Sequence, residues 1–288
     1  MDQRYIDLYD EYIHGTMPRR KFVDRLAKMA GGMAAAALIL PVLENNLACA
    51  KVVDPNDKDL KTSRVEYDAA TGKMKAYLAR PANQTGDIPG VLVIHENRGL
   101  NSHIEDVTRR AAKEGFIALA PDALSPLGGT PEDQDKARSM FSQLDRQKTI
   151  DNFVAGVKYL KSVEGCSGKI GCVGFCWGGS MANQLAVNSP DMKAAVAFYG
   201  SQAAVEDVPK IKGKLMLHYA ENDQRINQGI EAYEKALKEA KVEYVMYMYK
   251  GVGHAFHNDT SEARYNEEAA KLAWSRTVEF WNKHLKGK

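Results

Sequence analysis

The stretch "GFCWGGS", Gly174–Ser180, sets a cysteine among glycines at the end of an apolar run. The residues before it, "KIGCVG", read as a buried strand, and those after it, "GGSMANQLAV", as the start of a helix. A thiol on so sharp a corner is a nucleophile, a ligand, half of a disulfide or a small core residue. The surrounding chain narrows the choice. "GVLVIHE", "FIALAPD", "KAAVAFYG" and "KLMLHYA" are further apolar runs of strand length, and "VEYVMYMYK" alternates as a strand does. Between them lie helical patterns: "IEDVTRRAAKEG", a long stretch from Pro131 to Val163 with a break near Asp145, "QGIEAYEKALKEA", and the closing "EEAAKLAWSRTVEFWNKHL". A hairpin is expected on either side of Thr71-Gly72. Strands alternating with helices predict an α/β fold, a mostly parallel central sheet covered by helices on both faces.

The chain has 288 residues, 44% hydrophobic and 26% charged, with a net charge of +2. No basic stripe with interleaved aromatics is present, which argues against nucleic acid as a partner. Residues 1–50 read differently from the rest. Paired arginines, Arg19 and Arg20, precede an apolar run, Gly31–Leu43, and a small-x-small end, Ala48-Cys49-Ala50. This order is that of an export signal of the twin-arginine type. It predicts the export machinery as a partner, a periplasmic or secreted protein, and no stable membrane insertion after signal removal. The alternative is an N-terminal helix packed on the domain of a cytoplasmic protein. Residues 51–288 read as one α/β-hydrolase domain.

In open parallel sheets the chemistry gathers at the carboxyl ends of the strands. Polar residues at those ends include Glu96, Asp122, Cys176, Tyr199, Asp223 and His254. Cys176 lies in Gly-x-Cys-x-Gly, the nucleophile elbow with sulfur for oxygen, and nucleophile, acid, histidine is the chain order of α/β-hydrolases. Cys176, Asp223 and His254 supply it. The histidine favours thiolate, the aspartate fixes the imidazole tautomer, and the backbone N–H groups of Asn97 and Trp177 are candidates to hold an oxyanion.

"GFCWGG", the "AEND" loop, "GVGHAFHN" and "VLVIHENRGLN" resemble the dienelactone hydrolase (carboxymethylenebutenolidase) family across Arg64–Leu285. The resemblance implies Cys176 as nucleophile, Asp223 and His254 as partners, Glu96 as a carboxylate beside the resting thiol, and hydrolysis of an ester or lactone without cofactor or metal. Family enzymes hold the substrate carboxylate partly through an arginine four residues beyond the histidine. Asn258 stands there, which points to a neutral substrate unless Arg98, Arg138 or Arg225 substitutes. Tyr199, Arg225, Phe256, Asn258 and Arg98 are the substrate-binding candidates.

The alternatives are a general carboxylesterase or thioesterase, and a non-hydrolytic thiol redox or binding protein on the same fold. Cys172 reads as a core residue and Cys166 as a loop residue, with a disulfide between them disfavoured. His254, His257 and Asp259 form only a weak metal pattern. His14, His103, His218 and His284 read as structural or exposed, and Asp122 as a residue that ties down its loop.

Overall fold

Alternating side chains on two buried faces determine how the strands sit. The computed structural model describes residues 1–49 and 52–287. Eight strands form one sheet: β1 (Leu60–Ala69), β2 (Gly72–Pro81), β3 (Ile88–Ile94), β4 (Ile117–Pro121), β5 (Cys166–Phe175), β6 (Met192–Phe198), β7 (Lys214–Asn222) and β8 (Tyr244–Gly253). Their order is β1-β2-β4-β3-β5-β6-β7-β8. The β1–β2 hairpin is antiparallel and β2 runs antiparallel to β4; every other pairing is parallel. Cys166 begins β5, three residues before the strand expected from "KIGCVGF", so it is a strand residue and not a loop residue. No disulfide joins it to Cys172; both are free thiols.

Among the described residues, ten α-helices accompany the sheet. Three precede it: α1 (Gln3–His14), α2 (Arg19–Ala30) and α3 (Met33–Leu43). The others are α4 (Ser102–Lys113), α5 (Gln134–Met140), α6 (Arg146–Ser162), α7 (Trp177–Asn188), the single turn α8 (Gln224–Asn227), α9 (Ile230–Glu239) and α10 (Glu267–Trp281). The break expected near Asp145 is real: Asp145 caps α6 by accepting from the Lys148 N–H at 2.8 Å. Asn101 and Asn266 cap α4 and α10 in the same way, each satisfying an N–H that has no partner within the helix.

The sheet's alternation divides its core in two. Leu92, Ile94, Leu119 and Cys172 face α6 and α7 residues such as Phe153, Val157 and Leu185. Val91, Val93, Val173 and Phe198 face the opposite layer, which contains Val107, Ala111 and Trp281. Trp281 is fully buried, edge-on to Phe116 at 5.4 Å and to Trp274 at 5.9 Å. Trp281→Ala is therefore expected to cost about 3–5 kcal/mol, read as a lowered urea midpoint with an unchanged slope.

Residues 1–49 build a third cluster of their own. Ile6, Tyr9 and Ile13 share one face of α1 and meet Phe22, Leu26 and Leu43. The helices α2 and α3 meet at 115°. Among the described residues no single helix is long and apolar enough to cross a membrane. Ala50 and Lys51, where the sequence places the end of the export signal, lie outside the described residues.

Candidate active site

Cys176 follows β5 directly and precedes α7. Its backbone sits at φ 55°, ψ −114°, a conformation that costs a non-glycine residue free energy. The glycines around it make that corner possible. A Cβ at Gly174 would stand 1.8 Å from the Gly178 carbonyl oxygen, and one at Gly178 only 2.3 Å from the Ile94 oxygen. The strand, the turn and the helix thus approach more closely than any side chain allows. The corner lifts the thiol above the sheet, at the N-terminal end of α7, whose dipole favours negative charge there.

Asp223 and His254 follow β7 and β8. One carboxylate oxygen of Asp223 accepts from the Ile226 N–H at 3.4 Å and caps α8; the other lies 2.5 Å from His254 Nδ1. The cap holds the carboxylate and the carboxylate orients the ring. Nδ1 is committed, and His254 Nε2 is buried without a hydrogen-bond partner. Burial by itself lowers the pKa of His254, but the Cys176 thiolate and the Asp223 carboxylate outweigh it and raise the value to about 10.

Glu96 lies two residues past β3. Its Oε2 accepts from Asn258 Nδ2 at 2.7 Å, and its Oε1 is buried without a partner. Asn258 is consumed at both ends, since its Oδ1 accepts from the Thr260 N–H and hydroxyl at 3.1 and 2.6 Å. Glu96 and Cys176 line one small cavity together with His254 and Arg264. Asn97 and Trp177 flank the thiol in a larger cavity of about 540 Å³, which also contains Tyr199 and Arg225.

The other substrate-binding candidates are placed unevenly. Tyr199 is fully buried at φ 38°, with its ring 4.9 Å from that of His254 and its hydroxyl unpartnered. Arg225 is exposed at the cavity rim. Arg98 is buried and donates to the Tyr9 hydroxyl at 3.2 Å, so it is engaged by α1. Phe256 does not line the cavity. It is buried in the core against Tyr249 and Tyr199, because the turn after β8 directs it inward.

His95 makes a local pair of bonds, accepting from the Ala123 N–H at Nε2 and leaving Nδ1 to donate to the Glu96 carbonyl. The Trp177 ring stacks on it at 5.4 Å. Asp122 ties down its loop through Leu124 and Thr130. Asp259 pairs with His103 and Arg110, and His257 stacks on Phe175 at 4.9 Å, so neither joins His254 in a ligand set.

Two residues at the site were not singled out from the sequence. His14, expected to be structural or exposed, ends α1 with Nδ1 3.9 Å from Cys176 Sγ and its ring edge-on to His254 at 4.4 Å. Burial, followed by the nearby charge of His254 and Arg225, holds His14 well below the usual imidazole pKa. Arg264 is buried beside Glu96, fixed by Asn45 at 2.9 Å and Ser261 at 2.8 Å, with Asp10 at 3.4 Å. The periodic Ile6, Tyr9, Ile13 stripe was the available signal for the first, since it predicts a face that packs on something. Ile13, His14, Met17 and Pro18 of the N-terminal segment form one wall of the large cavity.

Comparison with known proteins agrees with this geometry. The model of the dienelactone hydrolase family matches residues 74–285, and a YqhI-like model matches residues 1–32. A Synechocystis protein described as "Putative carboxymethylenebutenolidase" is 31% identical over 79% of this chain and 99% of its own. A Bradyrhizobium protein described as "Probable 2-oxo-3-(5-oxofuran-2-ylidene)propanoate lactonase" is 32% identical over 74% of this chain and 90% of its own. The crystal structure of a "Putative Dienelactone Hydrolase" from Klebsiella pneumoniae superposes with a TM-score of 0.71 at 26% identity, covering 78% of this chain and 99% of that one. The parallel sheet with its elbow and carboxyl-edge site is the α/β-hydrolase fold, and the chain belongs to the dienelactone hydrolase family.

Proposed function

We propose that Cys176 is the nucleophile of this ester and lactone hydrolase, with His254 as its base and Asp223 as the group that orients His254. The observation that carries the reading is the thiol on its strained corner beside a histidine whose Nδ1 is fixed by a carboxylate and whose Nε2 is free. The thiolate attacks the carbonyl carbon, and the carbonyl electron pair moves to oxygen, where the Asn97 and Trp177 N–H groups would hold it. Collapse expels the alkoxide, which takes the proton from His254. His254 then removes a proton from water, the hydroxide adds to the thioester, and the thiolate leaves.

The substrate is a small ester or lactone, neutral around the reacting centre. Two facts support this: the Asn258 amide is held by Glu96, and Arg98 is held by Tyr9. Arg225 is the cation left at the rim for an anionic group, and the lactonase named among the relatives makes that comparison worth running. Glu96 serves as a fixed carboxylate beside the resting thiol.

The test is acid quenching during turnover of a short-chain aryl ester, followed by intact mass measurement. A population heavier by one acyl group, mapped to Cys176, is expected. A neutral and an anionic lactone run in parallel should show preference for the neutral one. No turnover and no adduct on any of them, with Cys176 still readily alkylated, would sink the reading and leave a thiol redox or binding protein.

Export through the exposed pair Arg19 and Arg20 belongs to the same proposal, as does the division into residues 1–50 and 51–288. The helix α3 supports it: almost wholly apolar, it buries only Ala36 and Leu43 and leaves Leu38 78% exposed. The mass of the protein recovered from the periplasm or medium decides it.

A further inference from the structure

We propose that Cys176, His254 and His14 form a binding site for a single zinc ion, which holds the resting thiol and joins α1 to the carboxyl edge of the sheet. The ligand atoms of these three side chains all lie within 4.8 Å of one another, with Cys176 Sγ 3.9 Å from His14 Nδ1. A tetrahedral zinc ion with Zn–S near 2.3 Å and Zn–N near 2.05 Å sets its ligand atoms about 3.3–3.6 Å apart. The required contraction is at most about 1.5 Å, within reach of side-chain adjustment at the end of a helix.

Three further features fit a metal better than mere packing. His254 Nε2 is buried without a geometric hydrogen-bond partner, an expensive arrangement for a polar atom. His254 already has the support that metal-bound histidines have, a carboxylate on the opposite ring nitrogen that fixes the tautomer and raises ligand basicity. Thiolate with imidazoles is a donor set suited to zinc, and three protein ligands leave a fourth position open. That position faces the cavity, since His14 and Cys176 both line it. The surrounding charge is mixed. Arg264, Arg225 and Arg98 oppose a cation, whereas Asp10, Asp223, Glu96 and the thiolate favour one.

Binding is proton-balanced. The zinc takes the thiolate sulfur and the Nε2 lone pair of His254, so the imidazolium releases one proton to solvent for each ion bound, and His14 contributes as neutral imidazole. The ion takes the same thiol and His254 Nε2 that the proposed hydrolysis uses, and it needs α1, so the zinc-bound form is an unreactive resting state of the chain that retains residues 1–50.

The test is cobalt(II) titration of the full chain, followed by zinc displacement. The expected result is a thiolate-to-cobalt charge-transfer band in the near ultraviolet, saturating at one equivalent, bleached by zinc and lost in Cys176→Ser. His14→Gln should weaken cobalt binding by at least about tenfold, since loss even of an outer-sphere partner costs about 10–100-fold. His14→Cys should bind again with a more intense charge-transfer band, and it stands as the positive arm should the glutamine variant fail to fold. Absence of the band in the wild type, or identical titrations for wild type, His14→Gln and His14→Cys, would overturn the proposal. Loss of the band in Cys176→Ser with no effect at His14 would also overturn it, reducing the site to an incidental Cys-His pair.

Discussion

Replacing Cys176 with alanine is expected to lower kcat/KM for an aryl ester by about 10⁴-fold or more, and Asp223→Asn to lower kcat by about 10⁴-fold. The two losses have different causes. Alanine removes the atom that would form the acyl bond, so no adduct mass should survive. Asparagine keeps the shape but presents the wrong partner to His254 Nδ1, which sits 2.5 Å from the carboxylate. It also removes one of the two charges that raise the His254 pKa to about 10. The His254 imidazolium is fully formed below the unfolded histidine value, about 6.5, and is lost only as pH climbs through the folded value of about 10. With Asp223→Asn the upper limit of that window falls. The His254 ring, followed by NMR across pH, should deprotonate near pH 10 in the wild type and at a lower pH in the variant. Unchanged kinetics in both variants would remove Cys176 and Asp223 from the reaction.

The second large effect is structural and comes from a single methyl group. Gly178→Ala places a Cβ 2.3 Å from the Ile94 carbonyl oxygen and 2.5 Å from that of His95, both backbone atoms of the β3 end. No flexible side chain is available to yield, so the helix or the strand must move. A cost above about 3 kcal/mol is expected, beyond the ordinary range for overpacking, with a fall in Tm of roughly 6 °C or more. Activity should fall further than stability, because displacing α7 displaces the Trp177 N–H. A Gly178→Ala protein with wild-type stability would show that the corner is not as tightly packed as its geometry indicates.

The legible parts of this molecule were those encoded by local pattern. Short apolar runs marked β3, β4, β6 and β7, and the glycine frame around Cys176 marked the turn, because both depend on neighbours in sequence. The inward turn of Phe256 was not legible, since it depends on Ala255 adopting φ 64° at the end of β8. Nor was the company that Asn258 keeps, which comes from a strand 162 residues away. His14 shows the limit most clearly. Residues 1–50 read as an export signal or as an N-terminal helix packed on the domain, and composition carries no information about which surface a helix chooses. The amphipathic stripe on α1 indicated a buried face but not that the helix would end against the thiol.

The same N-terminal helices have a consequence for binding. They have a hydrophobic cluster of their own and meet the rest of the chain largely through polar contacts, among them Asn97 to the Ile13 carbonyl and Arg138 to the Tyr12 carbonyl. Such a unit behaves as a ligand on a tether. A short connection presents it at an effective concentration of the order of millimolar, so contacts too weak to associate two separate molecules still hold it in place. Severing the connection anywhere between the two parts turns closure from a unimolecular into a bimolecular event, and dilution then opens the wall. The cavity would then lose the wall built from Ile13, His14, Met17 and Pro18.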